Sequence, residues 1–219
     1  AMLGFSGAVF HVLNHTLFKG LLFLSAGSVV HACHVRDMEE LGGLQKRMPI
    51  TGTTFLVGSA AISGLPPFNG FVSEFFIFMG ALTGIIHAST TFTMAGSVVT
   101  IAALALIGGL ALACFTKAFG IMFLGEPRST HATHAHEVRA VMWMPMIILA
   151  TLCLLLGIGG PFLLPLLATV IAPSTGLNSS MAVTVVQQTP ALHVIWKLTA
   201  ATGGFMVLVL VLSFLRKRL

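Results

Sequence analysis

The chain has 219 residues, 56% of them hydrophobic and 8% charged, with a mean hydropathy of +1.00. Globular domains carry about a quarter charged residues, so a soluble fold is excluded and a membrane protein is expected. The formal net charge of +5 does not point to nucleic acid, because the cations form no stripe and gather at the ends of alternate apolar runs.

In chain order the apolar blocks run over 9–35, 50–86, 97–124, 141–171 and 192–215. Each meets or exceeds the roughly 20 residues needed to cross a bilayer as a helix. Backbone in lipid must satisfy its own hydrogen bonds, and these blocks lack the alternation of barrel strands. The expectation is an all-α integral membrane protein with about five transmembrane helices. The chain opens Ala-Met-Leu-Gly without the basic region and cleavage site of a signal peptide, and reads as a piece that starts at or within a helix.

The first block contains HVLNHTLFKG, which places His11, His15 and Lys19 at four-residue spacing. On a helix such positions form one ladder rising about 6 Å per rung. Single waters can bridge rungs of that height, and histidine both accepts and releases protons near neutral pH. The plainer alternative is a pair of neutral core histidines with a lysine snorkelling to the interface. Against it, the chain stays apolar from Leu21 to Ser28, which leaves Lys19 deep in the bilayer. His31, Cys33 and His34 close this block; they lack a further thiolate or carboxylate for a metal and read as a proton mouth or interface residues. Cys33, Cys114 and Cys153 have no spacing that suggests disulfides or zinc, and read as packing residues.

The second block is too long for one span and too short for two, and its middle reads Gly64-Leu65-Pro66-Pro67-Phe68-Asn69-Gly70. Two prolines remove two donors and force the preceding residues out of helical geometry, so this span is expected to be broken there. Asn69 is expected to cap the second half-helix. A simple proline kink is the alternative reading, but a Pro-Pro pair flanked by glycines and followed by Glu74 favours a functional break, since broken helices line ion sites. Glu74, in GFVSEFF, is the only acidic residue between Glu40 and Glu126. His87, at the far end of this block, reads as interfacial.

Lys117 in the third block is seven residues from the following loop, so snorkelling and an intramembrane role are equally open. The loop from His131 through His134 and His136 to Glu137 could hold a metal adventitiously, but a solvated loop is the favoured reading. The stretch 173–190 is rich in Ser, Thr and Asn and reads as a flexible polar loop; its Asn178-Ser179-Ser180 is formally a glycosylation sequon. Lys and Arg follow the first and third blocks and end the chain at Arg216, Lys217 and Arg218, whereas 87–96 and 172–191 have none. By the positive-inside rule the 36–48 loop, the 125–140 loop and the C-terminus face the cytoplasm.

These motifs carry a resemblance. The stretch from HVLNHTLFKG through RDMEELGGL and the MPIT entry to PPFNGFVSE resembles the proton-pumping, antiporter-like membrane subunits of respiratory complex I, multisubunit cation/proton antiporters and membrane-bound group 4 hydrogenases. ALACFTKAFGIMFLGEPRS resembles the formate hydrogenlyase and hydrogenase-4 branch. The resemblance implies that residues 1–124 are the last three helices of the second of two inverted five-helix repeats. Residues 125–219 would be a C-terminal extension with two further transmembrane helices. It implies a proton-transfer axis of His11, His15, Lys19 and Glu74, with Lys117 as a further candidate, around a broken helix marked by Gly64, Pro66, Pro67, Asn69 and Gly70. Some relatives have lysine where Glu74 stands. The family's first-repeat glutamate and lysine have no counterpart in this chain, which would be a C-terminal portion. The implied setting is a bacterial or archaeal cytoplasmic membrane. The implied partners are other membrane subunits and a peripheral redox arm, and the chain is expected to bind no redox cofactor or metal of its own. A sodium/proton exchanger without redox coupling and a structural anchor are the alternatives; for sodium the oxygen donors near the break are Glu74, Ser73, Asn69 and free carbonyls.

Overall fold

The computed structural model describes residues 2–176, 178–188 and 190–218, with the side chains of 174, 175, 190, 191, 206 and 208–218 outside that description. The helices are α1 (Met2–Cys33), α2 (Leu44–Arg47), α3 (Pro49–Ile62), α4 (Asn69–Ile86), α5 (Thr91–Phe123), α6 (Thr130–His134), α7 (Ala140–Thr175), α8 (Ser179–Gln187) and α9 (Pro190–Arg218), with a 3-10 turn at Met38–Glu40. No strand occurs among the described residues. Within them α1, α4, α5 and, over Ala140–Pro173, α7 are long and apolar enough to cross a membrane. The expected fifth span falls within α9, and the side chains of its second half, including Arg216, Lys217 and Arg218, lie outside the described residues.

The second block is broken where the prolines stand. α3 ends at Ile62, α4 starts at Asn69, and Gly64 turns the chain with a φ of 63°. α1 is the centre of the bundle, packing on α3, α4 and α7. Two apolar clusters stack along it. One gathers Phe18, Leu21 and Leu22 of α1 with Phe55, Phe68, Phe123 and Met146. The other gathers Met2, Leu3 and Phe10 with Val72, Phe76, Leu164 and Ile195. The residues of α1 between Phe10 and Phe18, and of α4 from Asn69 to Ser73 on the face toward α1, form the layer where the clusters meet. Within the first cluster Ser25 is satisfied locally: it donates to the Leu21 carbonyl at 2.8 Å and faces Thr54 at 3.3 Å, with the Met146 sulfur 3.4 Å away.

α7 carries Pro145, Pro161, Pro165 and Pro173 inside its helical run, each deleting one amide donor. It nevertheless lies tightly against the break, because Gly157 has no side chain: a Cβ there would strike the Pro67 carbonyl oxygen and come within 2.8 Å of Phe68 Cα.

The 36–48 and 125–140 loops meet at one end of the bundle. Gly43 N donates to the Leu124 carbonyl at 2.9 Å, Arg128 donates to the Leu41 carbonyl at 3.0 Å, and Lys46 pairs with Glu126 at 2.8 Å. The hydrogen bond from Lys46 holds the Glu126 carboxyl below its ordinary range.

Two loop expectations need correction. The loop from His131 to Glu137 is not simply solvated: Ala132 and Ala135 are buried, and Glu137 Oε2 accepts from Ile50 N at 2.7 Å and Thr51 N at 3.2 Å while Oε1 accepts from Thr51 Oγ1 at 2.6 Å. Glu137 thus caps α3 from 86 residues away in sequence, completing the amides that a helix leaves unpaired. The 173–190 stretch is not a featureless polar loop either. Asn178 accepts from Met181 N at 3.2 Å and starts α8, which buries Ala182 and Val186 on its inner face.

Candidate functional site

The polar layer between the two apolar clusters is built from α1 and the first five residues of α4. His11 Nδ1 lies 3.0 Å from Ser73 Oγ, joining the ladder helix to the broken one. Three residues along α1, Asn14 Nδ2 donates to the Asn69 carbonyl at 2.9 Å, and Asn69 Nδ2 donates back to Asn14 Oδ1 at 3.1 Å. Ser73 Oγ is within 3.0 Å of the Gly70 carbonyl and 3.3 Å of the Asn69 carbonyl, so the four side chains are one connected network. Asn14, Asn69 and Ser73 are fully buried, and His11 is half-buried.

Asn69 is not the cap expected of it. Phe68 occupies the N-cap position without a side-chain bond, and Asn69 is the first helical residue. Its carboxamide turns sideways to α1, because Asn14 offers a buried, reciprocal partner that a cap position facing its own helix would forgo. Gly70 allows the close seat of α4 on the end of α3, since a Cβ there would meet the Ala61 carbonyl oxygen.

His11 and His15 are neighbouring rungs, with ring centroids 6.0 Å apart and Phe18 edge-on to both at 6.1 and 5.3 Å. The ladder is not enclosed: Lys19, like His11, is half-buried. His15 is exposed on this chain, and the Lys19 ammonium stands 6.0 Å from the centroid of exposed Phe23. Glu74 is half-buried on α4 and packs on the turn at Gly64, where a Cβ would collide with its Oε2. Glu74 and Lys19 make no ion pair among the described residues, where Lys46–Glu126 is the one found. Lys117 lies on the exposed side of α5, away from this network, without an ion pair among the described residues. Of the break markers, Pro66 and Pro67 are joined by a cis peptide bond.

Asn14 and Glu137 were missed as partners. Asn14 carried a signal, a carboxamide between the two histidines of an apolar helix, but its partner lies 55 residues away. A second feature appears only in three dimensions. The 125–140 loop folds over the end of α1, so that His34 borders two hollows, one with His31 and His136, the other with His131 and His134. Among the described residues no three His, Cys, Asp or Glu side chains are assembled for a metal.

Residues 1–101 match the model of a family described as NADH:quinone oxidoreductase/Mrp antiporter, TM. The chain is 45% identical over 164 residues to "Hydrogenase-4 component B" of Escherichia coli (strain K12), covering 75% of this chain and 24% of that protein. It is 38% identical over 169 residues to "Formate hydrogenlyase subunit 3" of the same organism, covering 77% of this chain and 28% of that protein. The chain therefore spans about a quarter of the length of these curated relatives. In fold it is similar to a chain of the Mrp complex from Dietzia sp. DQ12-45-1b, with a TM-score of 0.65, 21% identity, and coverage of 90% of this chain and 40% of that one. Through residues 1–101, with their ladder helix and broken helix, the chain belongs to the family of antiporter-like membrane subunits found in NADH:quinone oxidoreductases, Mrp antiporters and hydrogenase-4-type complexes.

Proposed function

We propose that this antiporter-like subunit relays protons through an axis of His11, His15, Lys19 and Glu74, driven by electron transfer in partner subunits. The partners are other membrane subunits and a peripheral redox arm, as the hydrogenase names of its relatives suggest. The setting is a bacterial or archaeal cytoplasmic membrane with the C-terminus inside. The observation that supports this reading is the 3.0 Å contact between His11 and Ser73, which ties a titratable ladder to the second half of a broken helix, just past the break, inside a bilayer-spanning bundle. Ionisable side chains at that depth are costly and are kept where they serve transport. Lys19 and Glu74 lie on different helices without direct pairing, so waters complete the steps between them and their charges act on one another at a distance. Lys117, exposed on α5, is a candidate for a step toward a neighbouring subunit.

The test is proton translocation measured separately from electron transfer in the intact complex carrying Lys19→Ala or Glu74→Gln. Loss of translocation with electron transfer retained is expected for both. Unchanged translocation in both variants overturns the reading and leaves a structural anchor.

Sodium/proton exchange without redox coupling is favoured by one observation. The Oδ1 of buried Asn69 has no hydrogen-bond partner among the described residues, and hard cations take oxygen donors of this kind. Sodium-dependent proton flux in vesicles without an electron donor selects this second reading.

A further inference from the structure

We infer that Ser73 is a positioning residue that fixes the tautomer of His11, and that the Asn14–Asn69 pair holds Ser73 in place to do so. The inference rests on the proton-relay reading above.

A serine hydroxyl has one hydrogen to donate. Three groups lie within its reach: His11 Nδ1 at 3.0 Å, the Gly70 carbonyl at 3.0 Å and the Asn69 carbonyl at 3.3 Å. The carbonyls can only accept, and backbone carbonyls three and four residues back are the usual target of a helical serine. With the hydroxyl hydrogen directed to them, the Ser73 oxygen presents a lone pair to His11, and Nδ1 must carry the hydrogen of that contact. The neutral ring is then protonated on Nδ1 with its lone pair on Nε2. A proton arriving at His11 binds Nε2, giving an imidazolium whose Nδ1–H still donates to Ser73. The proton that leaves departs from Nε2 and restores the starting tautomer. Uptake and release thus use one nitrogen, and no ring flip is needed between cycles.

The asparagine pair supplies the registration. Asn14 lies three residues beyond His11 on α1, and Asn69 lies four residues before Ser73 on α4. Two reciprocal bonds of 2.9 and 3.1 Å between them fix the helices at the height where His11 and Ser73 meet. The Asn69 carbonyl accepts from both Asn14 and Ser73, so losing the pair also loosens the acceptor that orients the serine hydroxyl. All three residues are fully buried, where an unmet polar group is expensive.

The test compares Ser73→Ala, Ser73→Thr and His11→Ala in the intact, membrane-assembled complex, reading proton translocation per electron transferred. Assembly is checked by the electron-transfer rate. Ala fills less space than Thr but lacks the hydroxyl, so a purely packing role predicts that Ala is tolerated at least as well. A tautomer role predicts the opposite order, with translocation about tenfold lower in Ser73→Ala, the worth of one lost hydrogen bond, and restored in Ser73→Thr. His11→Ala abolishing translocation while Ser73→Ala matches the parent overturns this inference alone. His11→Ala leaving translocation intact overturns the proton-relay reading on which it stands.

Discussion

Glu74 makes no hydrogen bond or ion pair among the described residues, and its carboxylate fills the place where Gly64 lacks a Cβ. Gly64 answers two demands at once: a φ of 63° that L-residues avoid, and room for an acidic side chain beside the break. Gly64→Ala should therefore destabilise the bundle by about 1–2 kcal/mol from the left-handed backbone alone, and also displace Glu74. A thermal midpoint measured for the purified protein should fall. In a Glu74→Ala background the same substitution should cost less, because only the backbone part remains. At the loop end the charges behave differently. Glu126, held below the ordinary carboxylate range by its bond to Lys46, contributes its attraction above the pH at which a free carboxyl ionises and loses it as pH falls through its own lowered value. Both side chains are mostly exposed, so neutralising Lys46 should change loop protection little at neutral pH, and hydrogen exchange of residues 41–47 is the measurement.

At the scale of elements, the start of α3 depends on a distant residue. Pro49 has no amide to cap, and the next two amides both donate to Glu137. Glu137→Ala leaves them unmet and should destabilise the α3 entry by about 1.5–3 kcal/mol, the range for bonds to a charged group. Glu137→Gln keeps an accepting oxygen and should cost less; limited proteolysis of the 125–140 loop reports both. The Asn14–Asn69 pair offers a second measurement. A double-mutant cycle with leucine at each position should give a coupling of about 0.6–1.7 kcal/mol, typical of interhelical polar contacts in membranes. These two contacts mark the limit of what the sequence discloses. The break at Pro66 and Pro67 and the rung spacing of His11 and His15 are local, set by ring geometry and by 3.6 residues per turn, and both are legible in the string. The Glu137 cap and the Asn69 carboxamide depend on which distant segment packs alongside, and no local periodicity encodes that. α8 was hidden for another reason. Its nine residues lie in a Ser-, Thr- and Asn-rich stretch, and only the Asn178 cap and two buried apolar side chains mark it as a helix.

For the whole molecule the arrangement is a polar layer clamped between two apolar clusters, with α1 running through all three. The layer survives inside an apolar bundle because its asparagines and serine bond across helices, and because α7 seals it closely at Gly157. That architecture requires the 36–48 and 125–140 loops to lie on one side of the membrane and the turn at 87–90 on the other, since α4 begins at the polar layer and continues away from the joined loops. We propose, from the cations of the joined loops and the positive-inside rule, that this side is the cytoplasmic one. With Cys33, Cys114 and Cys153 replaced by serine, Glu39→Cys, Thr133→Cys and Ser89→Cys can be introduced one at a time at exposed positions of the full-length chain in its complex. A membrane-impermeant maleimide should label Glu39→Cys and Thr133→Cys only in inverted vesicles, and Ser89→Cys only in right-side-out vesicles. Opposite labelling of Glu39→Cys and Thr133→Cys would contradict the loop joint itself. Uniform reversal of all three would keep the bundle and invert its orientation, moving the histidines around His34 to the outer face.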